Sequence, residues 1–143
     1  MDVTFAITRL ITRMAGLGLK TIGGSADLDA AMEGTVSVPS LYVMPLAESA
    51  DANILIGANA QRITQAFGVV LVVANRRDAT GKAALQDLAA LRTPLRDALV
   101  GWAPVPENGE QIQYSAGRLL KFDDGRLWWA DDFALKTYYR SPN

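Results

Sequence analysis

The segment 117–140, GRLLKFDDGRLWWADDFALKTYYR, constrains the fold of this chain more than any other stretch. Asp124-Gly125 is a two-residue hairpin signal, because a type I′ turn needs positive φ at both central positions and Asp or Asn followed by Gly tolerates that best. With that loop, Asp123 faces Arg126, and the pairs continue as Phe122 with Leu127, Lys121 with Trp128, Leu120 with Trp129, Arg118 with Asp131 and Ala116 with Phe133. One face of the ribbon is then almost wholly apolar. A three-residue loop would set Phe122 against Arg126 and Ala116 against Asp132, mixing charge into the face that must be buried. A slip of one residue exchanges the two faces, so the first register is expected.

This register separates the tryptophans. Trp129 belongs to the core face, and truncating it to alanine is expected to cost about 3–5 kcal/mol. Trp128 belongs to the opposite face, beside Lys121. There its ring either lies under the Lys121 stem, a contact of about 0.5–1 kcal/mol if exposed, or is covered by another subunit, since Trp is enriched at interface hot spots. On that reading Trp128→Ala leaves the fold intact and weakens assembly. Arg118 and Asp131 form an expected ion pair on the apolar face. Burying such a pair seldom adds net stability, which places it near a sheet edge or a neighbour.

Composition removes much chemistry. The 143 residues contain neither histidine nor cysteine, which excludes Cys or His nucleophile–base pairs, imidazole or thiolate zinc sites, thiol redox chemistry and disulfides. Half of the residues are hydrophobic and the formal charge is −1, from 14 basic and 15 acidic residues. One domain spanning 1–143 is expected, with neither a nucleic-acid stripe nor a polybasic membrane patch. No apolar run approaches about 20 residues and the start Met1-Asp2-Val3 lacks a basic leader region, so a cytoplasmically made, soluble protein is expected.

Along the chain, residues 2–15 place Val3, Ile7, Leu10, Ile11 and Met14 at helical spacing, stopped by Gly16 and Gly18. A short helix over 26–32 is expected, capped by Ser25. Gly23-Gly24 before it lacks a following Gly-Lys-Ser/Thr and reads as a tight turn rather than a phosphate loop. Residues 40–46 read as a strand whose flanking prolines suggest an edge position or strand ends. Residues 47–60 are small and polar except for Ile54-Leu55-Ile56, and read as an arm or hairpin tip that packs on another chain. Residues 61–75 form the longest strand, apolar on both faces from Ala66, as in the middle of a sheet. Arg76-Arg77 belong to a charged turn. Thr80 can cap a helix presenting Leu85, Leu88, Leu91, Leu95 and Leu99, which Pro94 either kinks or splits. The order helix, short helix, strand, strand, helix, strand, strand gives an α+β sandwich with antiparallel pairing.

The paired aspartates 123/124 and 131/132 could suggest acid–base work or a cation site. Asp123 and Asp124, however, belong to the turn, Asp131 has Arg118, and alternation separates Asp131 from Asp132. No catalytic residue, cofactor or metal is therefore expected. The subunit contacts expected from the residues alone are Ile54, Leu55, Ile56, Arg76, Arg77, Trp128 and Tyr138-Tyr139, of which one tyrosine should face the core.

The amphipathic N-terminal helix, GGSADLDAAM, SLYVMPLAE, NILIGANAQRITQAFGVVLVV, the helix ending DALVGW and GRLLKFDDGRLWWADDF occur in an order and spacing that resembles the tail terminator proteins of long-tailed bacteriophages, over nearly the whole length. Pro94 departs from what that resemblance leads one to expect. The resemblance implies a mixed sheet with flanking helices and a homo-oligomeric ring, usually of six subunits, on the head-proximal end of the tail tube. Such a ring stops tube polymerisation and offers a docking surface to head-completion or neck proteins, while DNA passes through the lumen unread. The residues themselves also allow a monomeric protein-binding module, docking a partner edge-on through the hairpin, or another head–tail joining protein. An enzyme using carboxylates alone ranks far below these.

Overall fold

A computed structural model describes residues 1–34, 36–75, 81–108, 110–123 and 125–142. Helix α1 (Thr4–Arg13), strand β1 (Thr21–Gly23), helix α2 (Ser25–Glu33), strands β2 (Ser40–Ala50) and β3 (Asn59–Ala74), helix α3 (Lys82–Leu99), and strands β4 (Gln113–Asp123) and β5 (Arg126–Ser141) follow one another, with a 3-10 turn at Pro106–Asn108 before β4. The strands form one sheet in the order β1-β2-β3-β5-β4, with β1 parallel to β2 and the other pairs antiparallel. The fold is α+β with a mixed, mainly antiparallel sheet, and β3 lies at its centre as its two-sided apolar pattern requires.

Alternation along the strands sorts side chains onto two faces. Leu41, Val43, Phe67, Val69, Leu71, Val73, Leu127 and Phe133 pack with Leu10 of α1 and Leu88, Leu91, Leu95 and Leu99 of α3. Phe67 stacks on Phe133 with ring centroids 5.6 Å apart and receives the Phe5 edge at 5.7 Å, contacts that add about 0.5–1.5 kcal/mol each beyond burial. On the other face Tyr42, Val70, Val72 and Trp128 pack with Leu28 of α2. The two long helices thus share one face, and the short helix partly covers the second.

Asp2 accepts hydrogen bonds from the Thr4 amide at 2.8 Å and the Thr4 hydroxyl at 2.6 Å, so it starts α1 from outside. The same bonds, the hydroxyl's first, hold its carboxyl below the usual range. Gly16 and Gly18, at φ 84° and 78°, end the helix region. Ser25 is the first residue of α2 rather than its cap: the amide of Gly24 donates to Asp27 Oδ2 at 2.8 Å. Strand β1 was not foreseen, because three residues carry too little periodicity to read. It pairs only with Ser40–Tyr42, which leaves the rest of β2 as an edge and lets Pro45 sit beside a bulge.

Helix α3 runs unbroken through Pro94. The missing amide leaves the Ala90 carbonyl at an exposed position, where water can satisfy it. Leu85 is exposed and outside the apolar stripe of α3, and Ile11 outside that of α1. Gly101 at φ 83° ends the helix region, and Trp102 beyond it packs on Phe5 while the Arg9 guanidinium lies 4.4 Å from its ring centroid. The expected Thr80 cap, the Arg76-Arg77 turn and Asp124 lie outside the described residues. Gly125, at φ 72°, has the backbone that the expected hairpin turn requires.

The final hairpin begins in the expected register, Asp123 opposite Arg126, Phe122 opposite Leu127 and Lys121 opposite Trp128. A bulge then inserts Leu120, and a second inserts Ser115, so that Leu119 faces Trp129, Arg118 faces Ala130 and Tyr114 faces Phe133. Each extra residue turns the following side chains to the other face. The expected Arg118–Asp131 pair is accordingly absent: Arg118 lies on the α2 face and bonds to Asp132. Trp129 does face the main core, partly buried. Trp128 is on the opposite face under Lys121 Nζ, 4.6 Å from its ring centroid, but only 5% exposed, because α2 and β2 of its own chain cover it.

Candidate functional site

Asp131 is fully buried on the main core face. Arg92, from α3, donates to it through Nε at 3.0 Å to Oδ2 and through Nη2 at 3.0 Å to Oδ1. Tyr114 Oη and Trp129 Nε1 donate to Oδ1 at 3.1 and 3.0 Å. The Arg92 guanidinium also lies 4.6 Å from the Trp129 ring centroid. A Cβ on Gly117 would collide with the Tyr114 hydroxyl and stand 2.8 Å from Asp131 Oδ1 and 2.9 Å from Trp129 Cζ2, so glycine is what lets β4 close over this network. Burial, and then the Asp131 charge, push the Tyr114 hydroxyl above its ordinary range, while the Asp131 bond raises Arg92. The carboxylate is saturated with donors, the chemistry of a fixed joint between α3 and the sheet rather than of an acid or base.

Among the described residues the other constellations carry no catalytic set either. Gly23-Gly24 form the β1–α2 junction, and the Asp27 carboxylate occupies the place where an anion would sit. A cavity of about 720 Å³ has Lys20, Asp87 and Arg126 as the charged residues of its lining, among the described residues, and so a single carboxylate. Among the described residues no group of three or more carboxylates could hold a metal ion.

The unpartnered surface lies elsewhere. Strands β2, β3 and β5 continue past the helices: residues 45–50 of β2 and 138–140 of β5 are exposed, with Pro45 bordering the bulge. Tyr138 and Tyr139 are both exposed, since no helix covers this end of β5, so the expectation that one faces the core does not hold. Tyr138 instead has the Arg62 and Arg140 guanidinium groups 5.9 and 5.4 Å from its ring centroid, and Arg62 bonds Glu110 at 2.9 Å. At the end of the β2–β3 hairpin Ile54, Leu55 and Ile56 are exposed, Ile56 completely.

This tip is built rather than loose. Asn53 Oδ1 accepts from the amides of Leu55 and Ala60 at 3.1 and 2.8 Å, and Nδ2 donates to the carbonyls of Leu55 and Ala58 at 3.0 and 3.1 Å. One side chain thereby fixes both sides of the turn that presents the isoleucines. Sequence reasoning missed Asn53, Arg92 and Tyr114. Arg92 had a readable signal, being four residues after Leu88 and three before Leu95, on the buried stripe of α3, where a cation needs a partner.

No helix among the described residues is long and apolar enough to cross a membrane. A search of the curated proteins gives no match. The family model for phage tail terminator proteins matches residues 1–143. A polar network that serves as a joint, no assembled catalytic set among the described residues, and a rigid apolar projection suit a structural component of a virion tail, and the chain belongs to the phage tail terminator family.

Proposed function

We propose that copies of this chain, most simply six, close into a ring on the head-proximal end of the phage tail tube, stop its polymerisation and present the surface on which head-completion or neck proteins dock. The observation that carries this reading is the rigid apolar tip at Ile54–Ile56 on a sheet that outruns its helices. A free-standing chain exposing three adjacent large aliphatics forgoes their burial, worth about 1.5–3 kcal/mol per side chain, and a tip held by Asn53 loses little further freedom when it docks. Tyr138 and Tyr139 lie on the same end of the sheet and join the proposed contact set, as do Arg76 and Arg77. Trp128, covered by its own chain, contributes from beneath rather than as an exposed anchor. A near-neutral chain suits a lumen through which DNA passes unread.

Light scattering across a concentration series tests the ring. A discrete oligomer, most tellingly a hexamer, is expected. A monomer at every concentration that stays monomeric after tube protein is added contradicts it. The second reading, a monomeric module that docks a partner edge-on, draws on β4, an edge strand with Leu119, Leu120 and Phe122 exposed.

A further inference from the structure

The end of the sheet that outruns the helices has two open edges. Strand β1 leaves β2 after Tyr42 and β4 pairs with β5 only as far as Ala134, so beyond these points β2, β3 and β5 alone lie side by side. Residues 45–50 of β2 are exposed, as are Lys136, Tyr138, Tyr139 and Arg140 of β5. Among the described residues, neither 46–50 nor 136–140 makes a backbone hydrogen bond on its outer side. An open edge of this kind is a template for a further strand. The two edges also stand at one height: Ser49 pairs with Thr64 and Thr64 with Lys136, while Ala50 pairs with Ile63 and Ile63 with Thr137. Their charges are opposite. From Leu46 to Asn53 the charged residues are Glu48 and Asp51, and from Lys136 to Arg140 they are Lys136 and Arg140. Among the described residues none of these four forms an ion pair: Glu48 accepts from the Gln65 side-chain amide at 3.1 Å, and the Arg140 guanidinium lies 5.4 Å from the Tyr138 ring centroid. Arg62, on the strand between the edges, is already paired with Glu110.

We propose that the β2 edge of one copy takes the β5 edge of the next, so that the sheet continues from copy to copy. Both strands run antiparallel to β3 and therefore parallel to each other, a direction that rotation about an axis along the strands preserves. Joining like edges about a two-fold axis would set Glu48 and Asp51, or Lys136 and Arg140, against their own counterparts, and like charges directly opposite are destabilising. Unlike edges meet head-to-tail, and such a contact repeats until the rotation closes a ring. The same register brings the tip into the contact. Ile54 N donates to the Ala60 carbonyl at 3.1 Å and Ala60 pairs with Arg140, so the exposed aliphatics of one copy stand level with the Tyr139-Arg140 end of β5 in the next. The inference rests on the ring reading and names the interface within it.

Disulfide trapping tests it, since the chain has no cysteine. Within one chain Ala50 and Thr137 lie on either side of Ile63, roughly 10 Å apart at the usual strand spacing and beyond the limit of about 7 Å for a disulfide. The double variant Ala50→Cys/Thr137→Cys can therefore close a disulfide only between copies. Oxidised alone and with tube protein, it should give a ladder of covalent oligomers, whereas either single variant should give little dimer; circular dichroism confirms that each is folded. Adding Lys136→Glu and Arg140→Glu should weaken the ladder by about tenfold or more, because like charges across an interface oppose it, and adding Glu48→Lys and Asp51→Lys to that chain should restore it. Single variants that dimerise as readily as the double variant, no ladder with or without tube protein, or a ladder indifferent to the charge changes would overturn the assignment. In the unsubstituted chain, hydrogen exchange in 46–50 and 136–140 should slow together on assembly, and exchange unchanged in both would overturn it as well. The wild-type chain's effect on tube protein polymerisation separates the two readings: capping without the ladder overturns this interface alone, and the ladder without capping overturns the tail function alone.

Discussion

Asp131 takes hydrogen bonds from Arg92, Tyr114 and Trp129 with none of its surface in water. Replacing it by alanine strands four donor groups of three residues at the α3–β4–β5 joint, and breaking one side of a buried pair typically costs about 3–5 kcal/mol. Equilibrium urea unfolding of Asp131→Ala should show a loss of that size; a loss under about 1 kcal/mol would mean that water already screens the network. Tyr114 gives the same joint a pH signature. Burial raises its folded pKa, so the folded state holds the phenolic proton more tightly than the unfolded chain does. Its contribution is complete below about pH 10, the ordinary phenol value, and is lost as pH rises through the folded value. The melting temperature of the native protein should therefore fall more steeply above about pH 10 than that of Tyr114→Phe, and parallel curves would contradict this.

At the scale of elements, the final hairpin shows what a sequence reveals and what it hides. The positive φ of Gly125 and the first three pairs were legible, because local φ preference and alternation set them. The two bulges were not: an isolated glycine in a strand marks a bulge or a close approach, and Gly117, regularly paired with Asp131 between the two bulges, marks the close approach. Missing the one at Leu120 placed Arg118 opposite Asp131, whereas it lies opposite Ala130 and bonds Asp132. Burial of Trp128 was equally hidden, since pairing tells which face a side chain takes and not whether a distant helix covers that face. With α2 over it, Trp128→Ala should cost about 3–5 kcal/mol, comparable to Trp129→Ala, in thermal or urea unfolding. A Trp128→Ala variant as stable as the wild type would restore the exposed, interface-only reading that the sequence suggested.

For the whole molecule, the α+β class, the central place of β3 and the projecting β2–β3 tip followed from periodicity and from the apolar triplet in an otherwise polar stretch. The partition of helices between faces did not, because an amphipathic stripe states that a helix docks and not on which side. The same limit applies to surface shape: Ile54, Leu55 and Ile56 were legible as exposed aliphatics, whereas a groove lined by Met32, Leu46 and Leu120 is assembled from three remote segments and exists only once the chain folds. On the proposed function, a ring of this chain ends tube growth. The most direct test is the length distribution of tubes grown from purified tube protein, read by electron microscopy, with and without added chain. Tubes should be shortened and carry a ring at one end only; unchanged lengths with bare ends would contradict the claim.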